Sequence, residues 1–166
     1  MRLTGWSAIR VSNWPPMIGV TIGRRAGKTK DTARNIHASR EFVVNIGSMA
    51  LLEAIHASSA EHGPSVSEPE LLGLVLLPCA TVQVPRLEAC SISMECKLVD
   101  VREYGSLKSE FLVGEVTAIH IAAPLYVNGK IDTAALDPVC RIAGPAYARL
   151  GEIITLSPIA QTPKMS

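Results

Sequence analysis

The chemistry most evident in this sequence comes from a short run of basic residues. Four cations fall within seven residues: Arg24, Arg25, Lys28 and Lys30. They come just before Asp31-Thr32, a pair typical of a helix N-terminus. The first turn of a helix leaves backbone N–H groups without partners and carries a partial positive charge, so cations beside it favour a phosphate or another compact anion. From local sequence alone, the alternative is a solvated charged turn that only begins a helix.

The run does not contain the common phosphate-loop motifs. It lacks G-x-x-x-x-G-K-[ST], the nucleoside triphosphate loop, and G-x-G-x-x-G, the Rossmann fingerprint. Hydroxyls at Ser12-Asn13, before the first strand, and at Ser58-Ser59, at a helix end, can donate to a phosphate or a heterocycle. Turns and helix ends also favour serine for their own hydrogen bonds. Tyr147, flanked by small residues in a predicted loop, can stack on a planar ligand.

The histidines and cysteines form no recognisable catalytic or metal motif. The four histidines fall on different elements, without zinc spacing: His37, His56, His62 and His120. No G-x-S-x-G elbow accompanies them, so neither a metal site nor a catalytic residue is assigned. The cysteines form no C-x-x-C pair, which predicts free and mostly buried thiols in a reducing cytoplasm. They are Cys79, Cys90, Cys96 and Cys140.

The composition describes one apolar domain with little net charge. The chain has 166 residues, 48% of them hydrophobic and 19% charged, with a net charge of +1 and a mean hydropathy of +0.25. A surface this poor in charge suggests cover by another subunit, and the near-neutral balance argues against a nucleic-acid partner. No apolar run reaches the ~18 residues of a membrane span, and the first residues lack a secretory signal. We therefore expect a cytoplasmic protein.

The elements that must position these residues are mostly strands. The predicted strands cover 17–23, 41–47, an edge segment within 75–85, 110–122 and 151–156. The predicted helices cover 31–40 and 49–57, the second capped by Ser48. Asn128-Gly129 is a strong hairpin signal.

The alternation that starts at Ile92 predicts a bent strand. One face carries Ile92, Met94, Cys96 and Leu98, and the other carries Ser93, Glu95 and Lys97. At Leu98-Val99 the phase slips by one residue, which indicates a β-bulge of the kind that bends barrel strands. The sum is a mainly β domain with a few short helices, better suited to a closed barrel than to a doubly wound sheet.

Several short motifs occur together in a characteristic order. S-N-x-P-P starts at residue 12, K-D-T-x-x-N-I at residue 30 and E-F-V-V-N at residue 41. A-S-S-A starts at residue 57, G-E-V at residue 114 and P-V-C-R-I-A-G at residue 138, followed by Tyr147. As a set, spanning residues 4–150, these motifs resemble the flavin reductase-like family.

The resemblance implies an antiparallel split β-barrel of Greek-key type, with a few short peripheral helices, that binds FMN near a homodimer interface. It assigns flavin contacts to Ser12, Asn13, Thr21, Ile22, Gly23, Arg24, Ala57, Ser58 and Tyr147. It assigns the phosphate-binding helix start to Lys30, Asp31 and Thr32. Family members usually carry further strands ahead of the position of Thr4, so we expect the barrel to lack its first strands. The chain is then one FMN-binding domain over 1–166, with a tail over 157–166.

The function implied by this resemblance is that of an FMN-dependent oxidoreductase, a flavin reductase that takes hydride from NADH or NADPH. The expected partners are a flavin, a nicotinamide cofactor and a second copy of the chain, with no nucleic acid and no membrane. Two alternatives stay open. One is a split-barrel binding protein with an incomplete flavin site, and the other is an electron-transfer flavoprotein without nicotinamide turnover.

Overall fold

Strands make up most of the fold. The computed structural model describes residues 7–60, 62–63, 66–157 and 159, with side chains described from Trp14 onward. The strands are β1 (Ser7–Asn13), β2 (Pro16–Ile22), β3 (Glu41–Ile46), β4 (Leu76–Leu77), β5 (Arg86–Leu87), β6 (Ile92–Tyr104), β7 (Ser109–Ile121), β8 (Tyr126–Val127), β9 (Lys130–Ile131), β10 (Cys140–Ala143) and β11 (Ala146–Ala148). The helices are α1 (Asp31–Ser39), α2 (Leu52–Ala57), α3 (Glu68–Leu71) and α4 (Thr133–Leu136). None of the described helices is long and apolar enough to span a membrane.

Five antiparallel strands form the main sheet, in the order β1-β2-β7-β6-β3. The long strands β6 and β7 pair along their whole length, and β2 lies on the other side of β7, with Thr21 opposite Phe111. The remaining strands form the pairs β4-β5, β8-β9 and β10-β11. This arrangement confirms the predicted mainly β, antiparallel fold.

The hydrophobic core lies between one face of this sheet and helix α1. Alternation along β2 turns every second side chain inward, and full burial of such a side chain contributes about 1.5–3 kcal/mol. The core consists of Ile18, Val20, Ile22, Ala33, Ile36, Phe42, Val44, Cys96, Leu98 and Leu112. Gly114 is required where β7 passes this core, because a Cβ there would lie 2.6 Å from Cε1 of Phe42.

Two register shifts bend the β6-β7 pair. Leu98 lies opposite Gly114 and Asp100 opposite Val113, so Val99 is an extra residue of β6 and the predicted bulge is confirmed. A second shift lies between Glu95 and Cys96, where β7 has the extra residue; the alternation of β6 did not reveal it. Bulges increase the local twist and bend of a strand, which curls the sheet around its core.

Three local predictions are wrong. The helix predicted over 49–57 is present, as a 3-10 turn over Met49–Leu51 followed by α2, but its predicted cap is wrong, because Ser48 makes no side-chain cap bond. Tyr147 lies on β11 rather than in a loop, because Gly144, at φ +51°, lets the chain reverse into a hairpin. Over 151–156 the structure has no strand, since an apolar run indicates strand propensity but does not supply a partner strand.

Two other local signals are confirmed. Asn128 and Gly129 adopt φ +51° and +76° between β8 and β9, as a two-residue type I′ turn requires. Helix α4 follows β9, and at its start the carboxylate of Asp132 accepts a hydrogen bond of 2.9 Å from the N–H of Ala135. The edge strand predicted within 75–85 shortens to β4, which pairs with β5.

Candidate functional site

The basic run forms the loop between β2 and α1, residues 23–30. Arg25 and Lys28 exchange two backbone N–H to carbonyl hydrogen bonds, of 3.0 and 2.9 Å. Ala26 and Gly27 make the turn between them, and both are left-handed, at φ +46° and +74°. Such a turn reverses the chain within two residues, which holds the side chains of Arg25 and Lys28 at an exposed tip.

Helix α1 begins at Asp31, as predicted. Lys30 occupies the N-cap position without a side-chain cap bond, and Asp31 forms an ion pair of 2.5 Å with Arg34. The partial positive charge of the helix N-terminus therefore lies beside Lys30 and the loop cations. Lys30, Asp31 and Thr32 are half-buried, at the opposite end of the loop from Gly23. This combination of cations and helix terminus suits a phosphate.

Arg24 contacts the acidic end of the β6-β7 hairpin. Its Nη2 lies 2.7 Å from Oε1 of Glu103 and 3.8 Å from Oε1 of Glu110, and its Nε donates to the carbonyl of Lys108 at 3.0 Å. Glu110 is buried, and its other oxygen lies 2.5 Å from Nε2 of His37. The charge of Arg24 is therefore balanced where it stands, and the guanidinium anchors the loop to the hairpin. A contact between Arg24 and a ligand stays a prediction.

A pocket of about 360 Å³ opens beside the first residues of the loop. We call it the Thr21 pocket; its walls are Thr21, Tyr104, Ser109 and Phe111. The rings of Tyr104 and Phe111 pack edge to face, with centroids 6.5 Å apart. Three of these residues were missed, because they adjoin Thr21 only through the β2-β7 and β6-β7 pairing. The lining of the pocket is almost entirely apolar, so the pocket offers an aromatic wall to a ligand.

Other predicted contacts from the first two strands differ in what they can offer. The side chain of Ile22 is in the core, 3% exposed, so only its backbone can reach a ligand. Ser12 and Asn13 were predicted to precede the first strand, but they lie on β1, because β1 pairs with β2 and brings them opposite Met17 and Pro16. Their side chains are outside the described part of the structure.

The second predicted group lies where the end of α2 meets β11. The hydroxyl of Tyr147 is 3.2 Å from Nδ1 of His56, and the guanidinium of Arg141 lies 5.6 Å from the centre of the Tyr147 ring. Ser58 is buried, and its hydroxyl donates to a carbonyl of α2 at 2.8 Å, whereas Ala57 is exposed. The structure thus brings Tyr147 to the segment of Ala57 and Ser58 through His56, a contact the sequence did not predict.

Glu95 forms a buried polar centre on the face of β6 opposite the core. Its carboxylate accepts hydrogen bonds from the N–H of Ala80 at 2.8 Å, from both the N–H and the hydroxyl of Thr81 at 2.6 Å, and bonds Nε2 of His120. Burial by itself raises the pKa of Glu95, but these hydrogen bonds outweigh it and hold the pKa well below its ordinary value. Glu95 is therefore an anion inside the protein.

Acceptors on β3 hold the rest of the segment over 79–90 against the same face. Asn45 Oδ1 accepts from the N–H of Leu87 at 3.1 Å and from the hydroxyl of Ser93 at 2.8 Å. The carboxylate of Glu41 accepts from the N–H of Gln83 at 2.7 Å. Because β5, the strand within this segment, has only two residues, side-chain acceptors satisfy backbone donors that a longer ladder would otherwise pair.

The fold and the geometry of the candidate site together indicate the class of protein. An antiparallel sheet curled by bulges, with a cationic loop and a helix start at the end of β2, fits a split-barrel flavoprotein. The chain belongs to the flavin reductase-like family, since the family model described as "Flavin reductase like domain" matches residues 3–135. The resemblance seen in the sequence is confirmed.

Individual proteins are similar to most of the chain. A protein of Halalkalibacterium halodurans is 41% identical over 147 residues, which span 86% of this chain and 70% of that protein. The structure of nitrilotriacetate monooxygenase component B from Bacillus cereus is 37% identical with a TM-score of 0.86, covering 90% of this chain and 76% of that chain. A Shewanella frigidimarina protein with a split barrel domain is 23% identical with a TM-score of 0.80, over 93% and 76% of the two chains. The last likeness shows the fold alone.

Proposed function

We propose that this protein binds FMN and acts as an NAD(P)H-dependent flavin reductase. Its family supports a flavin-related oxidoreductase. The observation that supports the finer proposal is the cationic β2–α1 loop beside the start of α1. FMN is the cofactor that the resemblance implies, and such a group of charges suits its phosphate.

The groups present fit both ends of FMN. Lys28, Lys30 and the N-terminus of α1 supply the cations and the partial charge that a phosphate needs. The Thr21 pocket, at about 360 Å³, falls within the usual size of small-ligand sites and offers aromatic walls for a planar ring. Gly23 directly follows β2 and lies between these two groups in the sequence. Ser109 is its neighbour across the pocket, since a Cβ on Gly23 would lie 3.9 Å from the Ser109 hydroxyl.

In this proposal the protein binds and orients, and the flavin supplies the hydride-transfer chemistry. Lys30 and the α1 N-terminus hold the phosphate. The Tyr104-Phe111 pair, which lines the Thr21 pocket, shields one side of the flavin ring from water. No acidic or basic side chain is assigned a proton transfer.

We also propose that the functional form is a homodimer. Large apolar side chains are exposed at the end of β7, where Ile119 is 53% exposed, and beyond β11, where Ile154 is 75% and Leu156 is 81% exposed. Exposed apolar surface of this kind is typical of an interface. Light scattering after size-exclusion chromatography tests the proposal, and a monomer at all concentrations would contradict it.

The decisive experiment compares two flavins that differ in the phosphate. The purified protein is titrated with FMN and with riboflavin, and binding is followed by quenching of flavin fluorescence. We expect FMN to bind more tightly, whereas equal affinities would contradict the phosphate site. NADH and NADPH oxidation is then measured with FMN present. Binding without oxidation would favour the electron-transfer alternative.

A lysine variant tests the loop itself. Lys30→Ala should weaken FMN binding about tenfold and leave riboflavin binding unchanged, because a charge-assisted hydrogen bond contributes about 1.5 kcal/mol. Lys130→Ala, which removes an exposed lysine from β9, is the matched control and should change neither affinity. If Lys30→Ala keeps the FMN-to-riboflavin affinity ratio of the unmodified protein, the phosphate role of Lys30 is excluded.

A further inference from the structure

We propose that Cys79, Glu95 and His120 form a binding site for a thiophilic divalent metal ion, for which Zn²⁺ is the best fit. The thiol sulfur, a carboxylate oxygen and an imidazole nitrogen of these residues lie within 4.8 Å of one another. Thiolate, carboxylate and imidazole are the three ligand types that Zn²⁺ uses in proteins. Three protein ligands leave a fourth position for water or a small molecule.

The three ligands come from separate parts of the chain and are positioned by the fold. Ser93 lies opposite His120 in the β6-β7 pair, so Glu95 and His120 are diagonal neighbours across the two strands. Cys79 directly precedes Ala80 and Thr81, whose backbone N–H groups donate to Glu95. The bonds that hold this segment to the sheet therefore also hold the thiol beside the carboxylate.

The bonds to Glu95 correspond to what a ligating carboxylate needs. Ligand carboxylates in metal sites are themselves hydrogen-bonded, which fixes their orientation. The donors from Ala80 and Thr81 satisfy that condition, and the bond between Glu95 and His120 is the one that a metal ion would replace. His120 is 31% exposed at its side chain and can move outward to make room, whereas Glu95 is fully buried.

The charge balance also favours a divalent ion. On binding, the Cys79 thiol loses its proton to solvent, the neutral His120 ring carries its proton on Nδ1 so that Nε2 is free to bind the metal, and Glu95 stays ionised. One thiolate and one carboxylate then neutralise the 2+ charge, so no net charge is left in a buried place. Burial and the neighbouring Glu95 raise the pKa of the Cys79 thiol to about 11, so the thiol gives up its proton only when a metal ion binds the sulfur. The partial exposure of Cys79 and His120 provides the path from solvent.

The first test titrates metal-free protein, prepared with a chelator, with Co²⁺ and follows the sulfur-to-cobalt charge-transfer band in the near ultraviolet. We expect one Co²⁺ per chain and displacement of the band by Zn²⁺. Cys79→Ser should abolish the band, and His120→Gln should weaken binding at least about tenfold, by comparison with the loss from second-shell changes. Cys140→Ser, at an exposed cysteine on β10, is the matched control and should bind as the unmodified protein does.

A second test needs no variant. Alkylation of each cysteine by iodoacetamide is followed over time by peptide mass spectrometry at mildly alkaline pH, until Cys79 of the metal-free protein is labelled, and the same time course is repeated with Zn²⁺. We expect Zn²⁺ to slow the labelling of Cys79 and leave that of Cys140 unchanged within the same molecule. Absence of a stoichiometric Co²⁺ band, or equal labelling of Cys79 with and without Zn²⁺, would overturn the proposal. Neither result depends on flavin binding.

Discussion

Replacing Glu95 by glutamine removes the charge at the buried carboxylate and keeps its shape. The carboxylate receives two backbone N–H groups, from Ala80 and Thr81, together with the Thr81 hydroxyl and the His120 ring. A glutamine amide keeps one acceptor oxygen and turns an NH₂ group toward the other pair of donors. The hydroxyl or the ring can rearrange to accept from that NH₂, but a backbone N–H cannot.

The loss of stability expected for Glu95→Gln follows from the hydrogen bonds that the carboxylate accepts. One backbone N–H is left buried without an acceptor, which costs about 1–3 kcal/mol, and each remaining bond loses roughly 1 kcal/mol of charge assistance. Relief from burying a charge offsets part of that loss. We therefore expect Glu95→Gln to lower the free energy of unfolding by about 2–4 kcal/mol.

The assay is urea unfolding at neutral pH with a chelator present. Glu88→Gln changes an exposed glutamate in the same segment and should stay within about 0.5 kcal/mol of the unmodified protein. A loss for Glu95→Gln no larger than that of Glu88→Gln would refute the reasoning.

The pH dependence gives an independent check. Hydrogen bonding holds the folded-state pKa of Glu95 below its ordinary value of 4.5, so its contribution is present above that value and is lost as the pH falls toward the folded-state pKa. The stability difference between the unmodified protein and Glu95→Gln should therefore narrow between neutral pH and about pH 3. An equal difference at both pH values would show that Glu95 is not an anion in the fold.

Two further predictions concern the scaffold of the site. Gly114→Ala should destabilise the protein by about 1–3 kcal/mol, because the new Cβ meets the ring of buried Phe42. Combining Gly114→Ala with Phe42→Leu in a double-mutant cycle should recover part of this loss. Gly63→Ala is the control, because nothing lies within reach of a Cβ at Gly63. If the effects of Gly114→Ala and Phe42→Leu are simply additive, the predicted clash between residue 114 and Phe42 is contradicted. Asp132→Ala should lower the free energy of unfolding by about 1 kcal/mol, because it removes the side chain that caps α4. Asp132→Asn keeps an acceptor and should lower it much less, and thermal unfolding measures both. Equal losses for the two variants would exclude the capping role of Asp132.

Local pattern was sufficient for the parts of the site that are local. The strand over β2, the basic loop and the start of α1 follow from alternation, glycine and helix-start signals within about 25 consecutive residues. The same holds for the Asn128-Gly129 turn, where the backbone conformation depends on two residues alone. These elements depend little on what packs against them, so their sequences predict them.

Contacts between distant segments could not be predicted in the same way. Arg24 was expected to face an anion, but the end of the β6-β7 hairpin places Glu103 against it. The alternation put Glu95 on a polar face, and only the packing of the segment over 79–90 makes that face buried. Strand alternation assigns a side chain to one face of the sheet, but whether that face is buried depends on segments far away in the sequence that pack on it.

The sequence by itself determined the family, the antiparallel strands, the basic loop and its helix start, because composition and short-range periodicity carry that information. The tertiary structure decided which groups meet. It placed Tyr104 and Phe111 beside Thr21, His56 against Tyr147, and Glu95 within reach of Cys79 and His120. The contacts of Phe111 and of Glu95 with His120 depend on the register of β2, β6 and β7, and a shift of one residue in that register would turn these side chains to the other face of the sheet.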